Sequence, residues 1–291
     1  MPQIFLVTSI NGRVDSFVNT DYVSSIFSLA KLSAPTVLSG FLLCLMRLIP
    51  IISLAPFLGS KLSSVVKMGL ALSFTAILLP KALSTLSGPV YFDGTYLFLL
   101  LKELVIGFAL GFLLALPFYI AQTAGNLIDF MRGASSLMVT DPFMQSQNSP
   151  ISLVYNYTLI VIFYNLGGMT FLIDGLLNSF AMLPMDGLIS PALFNRNNSF
   201  WILAFGALNN VVALGIQFCA PSILAILMTE LFLGIANRLA PQVQISFLGM
   251  ALKSLIGIAF LALSWTLIVN NLGDHMVSVL MKFLDITRQP Y

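Results

Sequence analysis

The sequence predicts an all-α membrane protein built of helical hairpins, several too short or too kinked to span a bilayer in the conventional way. Three observations carry that expectation. Of 291 residues, 58% are hydrophobic and 8% charged. A soluble domain carries about 25% charged residues, so this chain cannot cover a water-facing surface. The apolar residues fall in long helix-length runs, and prolines, glycines and polar corners interrupt them. At about 20 residues per crossing, the length allows roughly six to eight spanning or half-spanning helices.

The same composition excludes several functions. Seven Lys, six Arg, nine Asp and two Glu are spread thinly, with a net charge of +2. No basic block exists to hold phosphates, so nucleic acid is not an expected partner. Cys44 and Cys219 both sit inside apolar runs, where a free thiol behaves as a small hydrophobe. The single histidine, His275, has no ligand-spaced cluster near it, so no metal or other cofactor is expected. Ser135, Ser136 and His275 are far apart in sequence, and nothing supplies a hydrolytic base. The expectation is a non-enzymatic protein.

Residues 1–32 carry scattered charges and lack the basic start and compact apolar core of a signal peptide. They read as a partly helical N-terminal extension. The first strong apolar run covers residues 34–58, with Arg47 in its middle and Pro50 and Pro56 after it. A guanidinium at that depth either snorkels to the interface or faces a polar interior, and the prolines break or kink the helix. Residues 68–79, stopped by Pro80, read as too short to cross the hydrocarbon core unaided. A long run over 96–124 follows, with Lys102 and Glu103 near its start. Its Gly107 and Gly111 form a small-xxx-small face for close helix approach.

Residues 125–150 are the most polar interior stretch, between uncharged runs at 104–128 and 142–173. They hold Asp129 and Arg132 at i,i+3, the small-residue run Gly133, Ala134, Ser135 and Ser136, and the breaker Asp141-Pro142. Lipid cannot satisfy irregular backbone, so such an insert lies against protein or lines a water-filled path. Met138, Phe143 and Met144 add soft, deformable bulk. Asp129 and Arg132 are either a surface pair or a partly buried pair that fixes the start of the loop.

Residues 151–180 are again apolar, broken at Gly167-Gly168, with a helix end expected at Leu183-Pro184. The last third reads as a hairpin of two long runs, 200–239 and 244–271. Glu230 and Arg238 are its exceptional charges, and Pro221 interrupts its first arm. Residues 273–291 form an amphipathic tail of the interfacial kind. Two functions fit these polar corners. One is a secondary transporter with Asp129, Arg132 and Glu230 as coupling residues at broken helices. The other is a pore-forming subunit completed by partner helices.

The order of motifs along the chain decides between them. Gly125, then Asp129-x-x-Arg132-Gly133-Ala134, Asp141-Pro142 and Gln147-x-Ser149-Pro150 resemble the signature of the type III secretion export-apparatus family of SctT and its flagellar counterpart FliR. Phe163-x-x-x-Gly167-Gly168, Asn178-Ser179-Phe180-x-x-x-Pro184, Arg47-x-x-Pro50 and Arg238-x-x-Pro241 fit the same pattern. The resemblance covers residues 33–272, leaving 1–32 and 273–291 outside it.

That resemblance implies a T subunit of an export gate in the bacterial inner membrane, the assembled complex lying toward the periplasmic side. One T subunit would join five R and four S subunits, beside a U-type switch protein, the export-gate V subunit and membrane lipids. Unfolded secreted proteins would pass through. Residues 132–148 would supply a plug loop, and 200–272 would be an S-subunit-like hairpin. Asp129, Arg132 and Asp141 would fix the loop's roots while Met138, Phe143 and Met144 seal it. Arg47, Glu230 and Arg238 would be structural charges. Met131-Arg132-Gly133 stands where flagellar relatives often carry a Gln-Met-Gly-like run, which leans toward the virulence injectisome branch.

Overall fold

The computed structural model describes residues 33–59, 62–86, 88, 92–133, 139–140, 147–187, 199–239 and 245–288. The N-terminal extension, residues 1–32, lies outside them. The helices are α1 (Ala34–Leu54), α2 (Ser64–Ser84), α3 (Gly94–Met131), α4 (Pro150–Asn165), α5 (Gly168–Met182), α6 (Ser199–Leu239) and α7 (Ile245–Arg288). A two-residue antiparallel pair, β1 (Val139–Thr140) and β2 (Gln147–Asn148), sets Val139 against Asn148 and Thr140 against Gln147. Among the described residues, five helices (α1, α2, α3 and the greater parts of α6 and α7) are long and apolar enough to cross a membrane. A sixth crossing is available if α4 and α5, bent by 71°, count as one broken span. The bend falls at Gly167, whose φ of 73° suits glycine and strains other residues.

Among the described residues, the first of two compact units draws on 33–115, 163–204 and 278–288. Its core depends on close backbone approach between α1 and α3. A Cβ on Gly107 would run into the carbonyl of Arg47, and one on Gly111 would stand 2.8 Å from the Ile51 Cα. The small-xxx-small face therefore does what its spacing predicts. The Tyr96 hydroxyl donates to the Ser39 carbonyl at 2.9 Å and the Tyr164 hydroxyl to that of Phe57 at 3.0 Å. Phe57 also stacks on Phe163 with centroids 4.2 Å apart. On α5, Gly175 leaves the notch that the buried Phe283 ring fills.

The second unit contains residues 116–162 and 205–277. Here α3 meets α4 at Gly125, where a Cβ would be 2.5 Å from the Ser152 amide nitrogen. The Gln122 amide reinforces the approach by donating to Asn156 Oδ1 at 3.0 Å. Gly125→Ala is expected to force these helices apart and to destabilise by about 1–3 kcal/mol. Denaturant titration in mixed micelles would detect it, and an unchanged midpoint would contradict the close contact.

Three sequence expectations need correction. Residues 68–79 are not a short half-span: α2 is a 21-residue helix, about 32 Å long. Pro80 fails to stop it because it lies near the C-terminal end, where only the Ala76 carbonyl loses its usual donor before the helix closes at Ser84. The polar insert does not begin at Gly125, because α3 continues through Met131. The tail is not a separate interfacial helix, since α7 runs on to Arg288 and buries Met276, Leu280, Phe283 and Leu284.

Candidate functional site

The insert leaves α3 through a left-handed turn. Gly133 has φ 80°, and its amide closes onto the Phe130 carbonyl at 3.1 Å. Arg132 sits at this helix end, where exposed carbonyls favour a cation. Its Nε and Nη2 reach Asp129 Oδ1 at 2.6 and 2.5 Å, and its Nη1 donates to Ser254 Oγ at 3.3 Å. Both members of the pair are buried. The other Asp129 oxygen, Oδ2, accepts the Ile151 amide at 2.8 Å. That amide belongs to the first turn of α4, so the carboxylate caps the positive end of a second helix.

Ser149 completes the start of α4. Its Oγ accepts the Ser152 amide at 3.3 Å and donates to Asn126 Oδ1 at 2.7 Å. Pro150 occupies the first helical position, where a missing N–H leaves nothing unsatisfied. One carboxylate thus ties together both chain ends from which the loop departs. Ala134, Ser135, Ser136, Met138, Asp141, Pro142, Phe143 and Met144 lie outside the described residues.

A second polar cluster is buried in the first unit. Arg47 Nε meets Glu103 Oε2 at 2.5 Å with both side chains fully inaccessible. Its Nη1 donates to Ser179 Oγ at 3.2 Å and its Nη2 to the Leu183 carbonyl at 2.8 Å. The guanidinium carbon lies 4.2 Å from the centroid of the Phe180 ring. Lys102 approaches Glu103 Oε1 at 3.0 Å and donates to the carbonyls of Pro184, Met185 and Gly187 at 2.8, 3.3 and 2.8 Å. Arg47 therefore faces the interior, and two cations hold the turn that follows α5. Sequence reasoning singled out Arg47 but noted Lys102 and Glu103 only as lying near the start of their apolar run. The available signal was arithmetic: a mid-helix Arg needs an acid, and the chain has only two glutamates.

Glu230 pairs with Lys253 at 2.5 Å, partly exposed, between α6 and α7. Arg238 is exposed in the last turn of α6. The structure brings Asp129 and Arg132 together, while Glu230 joins a different pair. Among the described residues no group of three His, Cys, Asp or Glu is placed to hold a metal.

Helices of membrane-crossing length, joined by buried paired charges and carrying a loop pinned at both roots, define a helical membrane protein whose interior charges bind helix to helix. Comparison with known proteins narrows this. The family described as bacterial export proteins, family 1, matches residues 38–279. The flagellar biosynthetic protein FliR of Escherichia coli is 30% identical over 242 residues, covering 82% of this chain and 89% of its own. The secretion system apparatus protein SsaT of Salmonella typhimurium is 32% identical over 173 residues, 60% of this chain and 65% of its own. The surface presentation of antigens protein SpaR of Shigella flexneri is 30% identical over 193 residues, 65% of this chain and 72% of its own. The chain belongs to this family of type III secretion and flagellar export proteins.

Proposed function

We propose that the chain is the T-type subunit of a type III export gate in the bacterial inner membrane, of the injectisome branch, with residues 132–148 acting as a plug loop in the protein-conducting path. Its assembly partners are the R and S subunits, in the proportion of five and four to one, together with the U-type and V-type components. The gate lies toward the periplasmic face, and unfolded secreted chains are its cargo. The observation that carries this reading is the double anchoring of the loop through Asp129, within a chain matched to the family over residues 38–279. A loop held rigidly at its roots and furnished with Met138, Phe143 and Met144 between them can seal against ions. It can also yield to a passing chain, because methionine packs without a fixed shape.

Deleting residues 135–140 tests the seal. With the R and S subunits still copurifying, the deletion is expected to raise small-ion and dye leak across the inner membrane. An unchanged leak in an intact complex would remove the plug role.

A further inference from the structure

We propose that one exposed face of α3 is a track for the backbone of an extended chain in transit. The inference rests on the reading of the protein as an export-gate subunit and names what one of its surfaces touches. All the contacts that carry it lie within the second unit. Tyr119, Thr123, Asn126 and Phe130 are exposed and spaced four, three and four residues apart. That spacing sets them on one stripe of the helix, about 16 Å long. Gln122, half-buried, lies at its edge toward α4. None of the five carries a charge.

Each of the two amides is held at one end and free at the other. Gln122 commits its NH2 group to Asn156 Oδ1 at 3.0 Å, which leaves Oε1 as an acceptor. Asn126 does the reverse. Its Oδ1 accepts the Ser149 hydroxyl at 2.7 Å, which leaves the NH2 group as a donor. Neither free end has a partner among the described residues. Asn156 and Ser149 are buried, so the two anchors fix the direction of the amides. Thr123 does not compete, because its hydroxyl turns back onto the Tyr119 carbonyl at 2.7 Å.

The result is an acceptor and a donor about 6 Å apart along the helix. An extended chain turns its N–H and C=O groups to one side every two residues, or about 6.8 Å, so the pair matches its repeat. An acyl chain offers neither group, and a neighbouring helix has already paired its own backbone. An unfolded chain carries both groups unpaired at every residue but proline. Tyr119 and Phe130, at the two ends, add flat apolar surface that side chains of many shapes can cross. A face that reads backbone and bears no charge does not discriminate among sequences. The stripe ends at Phe130, whose carbonyl closes the Gly133 turn, so it leads to the root of the loop.

Two measurements in the assembled apparatus test the track. Photoreactive benzoylphenylalanine in place of Tyr119 should crosslink to a reporter substrate stalled in transit by a folded domain. Crosslinks to an R or S subunit without substrate, and none to the stalled chain, would show a subunit packed on the stripe and overturn the track. N126D keeps the oxygen that Ser149 needs and replaces the outward donor with an acceptor. With the R and S subunits still copurifying, it should lower secretion about tenfold. Two reporter substrates of unlike composition should lose equally, since they share only their backbone. Wild-type secretion by N126D, or a loss confined to one substrate, would also overturn the track. The crosslink leaves Asn126 untouched and decides the matter even where N126D does not assemble. The plug is judged separately: a Tyr119 crosslink beside a 135–140 deletion that does not leak retains the track and rejects the plug. A leaking deletion without that crosslink does the opposite.

Discussion

Replacing Glu103 with Gln is expected to cost about 3–5 kcal/mol of stability, because Arg47 then remains a buried cation without its carboxylate. Neither group has access to solvent, so water cannot take over the lost interaction. The loss spreads to α5, since the same guanidinium holds Ser179 and the Leu183 carbonyl. Titration with a denaturing detergent, read by protease resistance, measures the effect. Adding Arg47→Met to the Glu103→Gln chain should recover most of the loss, because an apolar side chain replaces the stranded charge. A double variant as unstable as the sum of its singles would show that the two side chains act separately.

Asp129→Ala is the second large effect, again about 3–5 kcal/mol. It strands Arg132 and leaves the Ile151 amide without its cap. The consequence differs from that of Glu103 because the lost bonds sit where the loop leaves α3 and enters α4. Detergent stability should fall, and dye leak in the assembled apparatus should rise together with it. Asp129→Asn should restore little. If its amide oxygen serves Ile151, its NH2 group points a donor at the Arg132 guanidinium, which can only donate. Loss of stability with no change in leak would separate the anchor from the seal.

Much of this architecture was legible as pattern. Gly167-Gly168 marked the bend between α4 and α5 because a left-handed position calls for glycine. Leu183-Pro184 marked the end of α5, and Gly107 with Gly111 marked where two backbones meet. Asp129 and Arg132 could be paired because they are three residues apart on a helix. The long-range partners were not legible. Arg47 and Glu103 are 56 residues apart and Lys253 is 23 from Glu230, and no local periodicity records which acid a buried base will find. Ser254 gave no signal either, because a lone serine in an apolar helix looks the same whether it bonds its own backbone or a distant arginine. Pro80 misled for a related reason: its effect depends on how much helix remains beyond it, which a dipeptide does not reveal.

The Phe283 ring seated against Gly175 ties the order of synthesis to the order of folding. Phe283 follows Gly175 by more than a hundred residues, so the ribosome has synthesised all of that stretch before the notch can be filled. Until then the α5 surface that receives the ring is unfinished, however early the N-terminal helices enter the bilayer. A stop codon shortly after residue 277 would therefore leave a vacancy in a segment made a hundred residues before it.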